Sequence, residues 1–227
     1  MTVSELMSGH MSGNAAAESA TVEWRASQER RELGEALRGL LDVVVQTGAD
    51  PAELSAATAT IQELTARLAA PIVRTEMSVD EDSYRTHMSL VGGLSHPAAP
   101  QLTMRVDEHG GSGEVVVGKV FQGGPGLVHG GIVALLIDHA MGCVAARPGR
   151  PSMTVRLDLR YRRPTPLEVP LTVSVSLDRI DGRQLFLSAS ITARGEVTVE
   201  ADGVFLTLTP ANLEAVFGDD RQRSSRP

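Results

Sequence analysis

Asp138 is the one formally charged side chain between Gly130 and Ala146. Its helical neighbours Ala134, Leu135, Met141 and Gly142, three or four positions away, are small or apolar. A carboxylate in such company needs a reason, because burying an unpaired charge is costly. Nine residues earlier stands His129, followed by Gly130 and Gly131, where a small-residue loop runs into an apolar helix across residues 125–142. Gly126, Gly130 and Gly131 let a ligand approach the backbone closely, and the helix start that follows carries N–H groups without intrahelical acceptors. Such a terminus stabilises a carbonyl oxygen that is gaining negative charge. The combination points to a catalytic site, against the plainer reading of an aspartate on a solvated helix stripe.

Other chemistries fit the residues less well. In GGPGLVHGG, a dinucleotide-binding reading from Gly124 and Gly126 needs its third glycine at position 129, where His129 stands, and no βαβ unit follows. A phosphate loop is excluded because no Gly-Lys-Ser/Thr occurs and residues 123–131 hold no lysine. The six histidines, at 10, 87, 96, 109, 129 and 139, form no HxxxH or HExxH pair, so no metal centre and no cofactor is expected. His139 and Cys143 stand four apart on one helix face, but in an apolar helix a core cysteine is expected rather than a nucleophile.

The elements that must position this loop and helix can be read from periodicity. Over residues 22–47, Leu33, Leu37, Leu40, Leu41, Val44 and Val45 recur at helical spacing, and Gly48 stops the helix. Asp50-Pro51 reads as an N-cap with proline at the first helical position of a second amphipathic helix through Leu54, Ile61, Leu64 and Leu68, closed by Pro71. Both apolar stripes are narrow, so a helical hairpin that completes a dimer or covers a sheet is expected. Beyond LSHPAAP the pattern turns to strands: Leu102, Met104 and Val106 alternate, and residues 114–121 are valine-rich. After the central helix, Met153, Val155, Leu157, Leu159 and Tyr161 alternate with Thr154, Arg156, Asp158, Arg160 and Arg162, as one apolar and one polar strand face require. Strict alternation therefore sets Thr154 on the polar face. Two hairpins follow, turning at Asp181-Gly182 and Arg194-Gly195. One long helix inserted in a meander of five or six strands is an α+β arrangement, with the helix on the sheet's apolar face.

The whole chain of 227 residues has room for one domain with an extension. Residues 1–20 are expected to be a tail, 21–71 a helical extension, 72–210 the main domain and 211–227 a second tail. The net charge of -7, with 28 acidic against 21 basic residues, argues against a general nucleic-acid binder. A single cysteine excludes an internal disulfide and suits a reducing compartment. MTVSELMSGH has neither a basic start nor an apolar run, so no secretory signal is expected. The longest apolar stretch, residues 132–137, is too short to span a bilayer. A cytoplasmic protein without membrane partners is expected.

VHGGIVALLIDHAMG followed by MTVRLDLRYRRPTPL resembles the hotdog-fold acyl-CoA thioesterases of the PaaI and THEM4-like type. The resemblance covers Gln122 to about Leu208, extends loosely back to Leu102, and leaves the N-terminal helices outside. It implies an antiparallel sheet wrapped around a long central helix, an acyl-CoA substrate, and hydrolysis to free acid and CoA. In that family an HGG motif opens the helix, an acidic residue nine positions on does the chemistry, and a strand ending in Tyr-x-Arg-Pro follows, here Tyr161-Arg162-Arg163-Pro164. Carried over, the backbone N–H of Gly130, and of Gly131 as a second candidate, polarises the thioester carbonyl. Asp138 attacks the carbonyl carbon or activates water, Thr154 orients the attacking group, and His129 holds the loop. A thiolate leaves without strong acid assistance, so no general acid is required. Many members carry an Asn six residues before the motif histidine; this chain has Gly123 there, and the neighbouring Gln122 is the candidate substitute. Arg162 and Arg163, with Arg147 and Arg150, are candidates for the phosphates of CoA. A non-catalytic acyl-CoA-binding or regulatory module is the alternative and would need no carboxylate at 138; a hotdog dehydratase fits less well, because its acid and histidine are spaced differently.

From His129 to Asp138, nine residues of helix span ~13.5 Å and about two and a half turns. Asp138 therefore cannot share a carbonyl with its own Gly130. The expected site combines Gly130 of one subunit with Asp138 of another, in a homodimer or a dimer of dimers.

Overall fold

The computed structural model describes residues 27–69, 87–146 and 151–209. Two helices come first. Helix α1 (Gln28–Val44) starts at Ser27, whose hydroxyl accepts the Arg30 N–H. Helix α2 (Pro51–Ala69) starts at Asp50, whose Oδ1 accepts the N–H groups of Ala52 and Glu53, each at 2.9 Å. The expected tails, the start of the first helix before Ser27, Pro71, Arg147 and Arg150 lie outside the described residues.

The main domain is built from β1 (Thr103–Val106), β2 (Gly110–Val116), helix α3 (Gly130–Ala145), β3 (Ser152–Tyr161), β4 (Pro170–Asp181), β5 (Gln184–Ala193) and β6 (Glu196–Thr207). The six strands form one antiparallel sheet in the order β1-β2-β4-β5-β6-β3, which leaves β3 at an edge. Helix α3 lies on the apolar face and buries Val133, Leu136, Ile137, Ala140, Met141 and Val144. Facing it are Leu171, Val173 and Val175 of β4, Leu185, Leu187 and Ile191 of β5, and Val199, Ala201 and Phe205 of β6. Each large side chain among them contributes ~1.5–3 kcal/mol by leaving water. The α+β, helix-in-sheet arrangement is the one the pattern and the resemblance imply.

Three expectations need correction. Of the two roles expected for the N-terminal helices, covering the sheet is not the one seen, because its apolar face belongs to α3; α2 has no buried residue, and α1 rests against the 94–96 segment and the turn after β2. The valine-rich strand expected at 114–121 begins earlier and ends at Val116. Its glycine-rich start suggests a loop, yet pairing to β1 and β4 holds it extended, and a Cβ at Gly110 or Gly113 would strike the carbonyls of Val175 or Thr103. Its expected end, Lys119–Phe121, is instead a single 3-10 turn.

The third correction concerns β3. Thr154 pairs with Phe205 and Arg156 with Val204, so Val155 is an extra residue bulging from the ladder. Directly paired residues share a face, and Phe205 is in the core, so Thr154 faces the helix. After the bulge Leu157, opposite Gly203, resumes the inward face. Met153 and Val155, expected to point inward, are 43% and 53% exposed. The extra residue inverts the phase of the first part of the strand.

Candidate active site

The loop before α3 is held from both sides. On one, Phe121 C=O accepts the His129 N–H at 2.9 Å; on the other, Thr165 C=O accepts the Val128 N–H and Gly126 C=O accepts the Leu167 N–H. Gly126 has φ +73, a conformation glycine adopts without strain. Gln122, the candidate amide, turns into this loop: its Oε1 accepts the Gly126 N–H at 3.2 Å.

His129 is the N-cap of α3, and its Nδ1 accepts the Gly131 N–H at 3.0 Å. That bond gives the Gly131 N–H, the second candidate for the carbonyl, an acceptor within the cap. An imidazole nitrogen replaces the hydroxyl or carboxylate oxygen usual at this position. The Gly130 N–H, by contrast, has no acceptor among the described residues, and Gly130 is exposed. Tyr161, for which the sequence suggested no role, donates its hydroxyl to Gly130 C=O at 2.9 Å and ties the end of β3 to the start of the helix. The only signal for it was its place in the Tyr-Arg-Arg-Pro run.

Asp138 lies half-buried two turns along α3. Thr154 donates its hydroxyl to Asp138 Oδ1 at 2.8 Å, a bond available only because the bulge turns Thr154 toward the helix. The other carboxylate oxygen accepts nothing among the described residues. Next to it, burial lowers the His139 pKa from the usual imidazole value, while the Asp138 charge pulls in the opposite direction. The His139 Nε2 lies 3.6 Å from Cys143 Sγ.

The structure thus brings together Thr154 and Asp138 in one group, and His129, Gly130, Gly131 and Tyr161 in another. Eight residues of continuous helix, ~12 Å, separate Gly130 from Asp138 along the axis. Arg162 and Arg163 join neither group. Arg162 pairs with Glu200 at 2.8 Å, and Arg163 lies 3.6 Å from Glu196, both acids on β6.

This geometry can be set beside known proteins. The family described as Thioesterase superfamily matches residues 125–200, which contain the loop, α3 and β3. A solved thioesterase-superfamily protein is 30% identical, with a TM-score of 0.70 and a match covering 78% of this chain and 94% of that one. The chain belongs to the thioesterase superfamily. That structural match is too long to be held by residues 70–227 alone, so it takes in part of the N-terminal helical region of this superfamily member. Acyl-coenzyme A thioesterase THEM4 of Bos taurus is 40% identical over 95 residues, covering 41% of this chain and 39% of the relative. Acyl-coenzyme A thioesterase THEM5 of Homo sapiens is 32% identical over 93 residues, covering 40% and 38%. The chain spans about two fifths of the length of these curated relatives.

Proposed function

We propose that the protein hydrolyses acyl-CoA thioesters to the free acid and CoA. The observation that carries this reading is the Thr154–Asp138 bond of 2.8 Å, which orients one carboxylate oxygen and leaves the other open. A binding module would have no use for such a carboxylate. The thioester carbonyl oxygen sits against the open Gly130 N–H at the positive end of α3, where developing negative charge is stabilised. Asp138 either attacks the carbonyl carbon, giving an anhydride that water then opens, or takes a proton from an attacking water. In both routes the C–S bond breaks, the sulfur leaves as thiolate, and oxygen from water ends in the acid. The names of the curated relatives support acyl-CoA as the substrate class.

The two halves of this machinery meet only across two copies of the chain, Gly130 from one and Asp138 from the other, giving two equivalent sites per dimer. Strand β3 supports the pairing, since it is a ten-residue edge with Met153, Val155 and Tyr161 exposed. CoA phosphates would recruit Arg162 and Arg163 in competition with Glu200 and Glu196, and Gln122 acts by holding the loop.

Release of free thiol from a panel of acyl-CoAs, with Asp138→Ala as the control, tests the reading. Wild type is expected to turn over and the variant to fall to background. Equal inertness of the two with retained acyl-CoA binding would establish the non-catalytic module instead. An active monomer would exclude the composite site.

A further inference from the structure

Helix α1 is fixed to the main domain at three successive turns. Gly34 packs on the backbone of Ser95, where a Cβ would come within 2.7 Å of the carbonyl oxygen. Arg38 Nη1 donates to His96 C=O at 2.9 Å. Asp42 Oδ1 accepts the Val120 N–H at 3.0 Å, and its carboxylate lies so close over Gly118 that a Cβ there would force it to move. The first two contacts serve docking. The third differs, because Val120 is the middle residue of the turn whose last residue, Phe121, accepts the His129 N–H at 2.9 Å. His129 in turn caps Gly131, and the open Gly130 N–H lies between them. A carboxylate 78 residues before Val120 is thus linked through one short turn to the group proposed to bind the carbonyl oxygen.

We infer that Asp42 is a positioning residue for the reaction: from α1 it clamps the Lys119–Phe121 turn and thereby fixes where the Gly130 N–H points. The inference rests on the hydrolase reading for its catalytic consequence, though not for the clamp itself. A hydrogen bond from a backbone N–H to a carboxylate is stronger than one to a neutral acceptor, which suits it to hold a turn that has few bonds of its own. The role also gives the N-terminal helix, outside residues 125–200 matched by the family, a function at the site. Misplacement of a reacting group by about 1 Å costs on the order of a hundredfold in rate, so partial loosening should cost about tenfold.

The test compares wild type, Asp42→Ala and Asp42→Asn in the full chain, by steady-state kinetics on an acyl-CoA and by amide hydrogen exchange at Val120, His129 and Gly131. Asp42→Ala should lower kcat about tenfold with KM within about twofold, and should speed exchange at all three amides. Asp42→Asn keeps an oxygen acceptor and should restore both. A wild-type kcat in Asp42→Ala, a loss confined to KM, or an Asn variant no better than Ala would overturn the inference. So would unchanged exchange at His129, even if wild type released no CoA; that failure would be seen separately, as wild type and Asp138→Ala being equal.

Discussion

Replacing Thr154 by Val isolates the bond on which the proposed chemistry depends. Val keeps the branched shape that β3 accommodates and removes only the hydroxyl that donates to Asp138 Oδ1 at 2.8 Å. A hydrogen bond to a charged group contributes ~1.5–3 kcal/mol. Thr154 and Asp138 are both half-buried, so water replaces part of the lost interaction and the lower half of that range applies. At 1.36 kcal/mol per factor of ten, about 1.5–2 kcal/mol becomes a loss of roughly 12- to 30-fold in kcat. Thr154→Ser retains a hydroxyl and should stay within about threefold of wild type. The assay is release of the CoA thiol at saturating acyl-CoA, with thermal melts to confirm that each variant folds. A Val variant turning over at the wild-type rate, or a Ser variant as impaired as Val, would refute the claim that this hydroxyl orients the carboxylate.

Two further outcomes concern the scaffold. A Cβ at Gly203 would lie 2.5 Å from Met141 Sδ and 3.3 Å from Phe205, so Gly203→Ala forces α3 and β6 apart or bends the Met141 side chain. It should cost ~1–3 kcal/mol, read as a lower Tm; an unchanged Tm would show that the helix and strand have room to spare. His139 has a folded-state pKa lowered from 6.5, chiefly by burial. Above the unfolded value both states carry the neutral ring; below it the unfolded chain takes up a proton that the folded chain resists, so stability is lost as pH falls from about 6.5 toward the folded value. His96, also lowered by burial and by Arg38, adds in the same direction. Denaturant melts at pH 7.5 and about pH 5 should therefore show a smaller pH-dependent loss in His139→Gln than in wild type. An identical loss would mean that the buried ring does not resist protonation.

Local patterns carried much of the architecture. The apolar run from Gly130 to Ala145, the Asp50 cap, and the turns at Gly182 and Arg194-Gly195, whose φ values are all positive, are written in nearest neighbours and in single residues that tolerate a given backbone. For the same reason the carboxylate stood out: a lone charge in an apolar helix is visible without a fold. What alternation could not reveal is the phase of β3, because a bulge is decided by pairing with β6, and one unpaired residue reverses every side chain before it. That reversal, not the pattern, turns Thr154 toward Asp138. Nor could spacing show that His129 takes the Gly131 N–H, that Tyr161 reaches back 31 residues to Gly130, or that Asp42 holds a turn 78 residues away. Sequence alone determined the elements and the candidate acid, since those depend on short-range periodicity and on residue type. The tertiary structure decided which polar groups were free to act, because each is claimed or released by a partner distant along the chain.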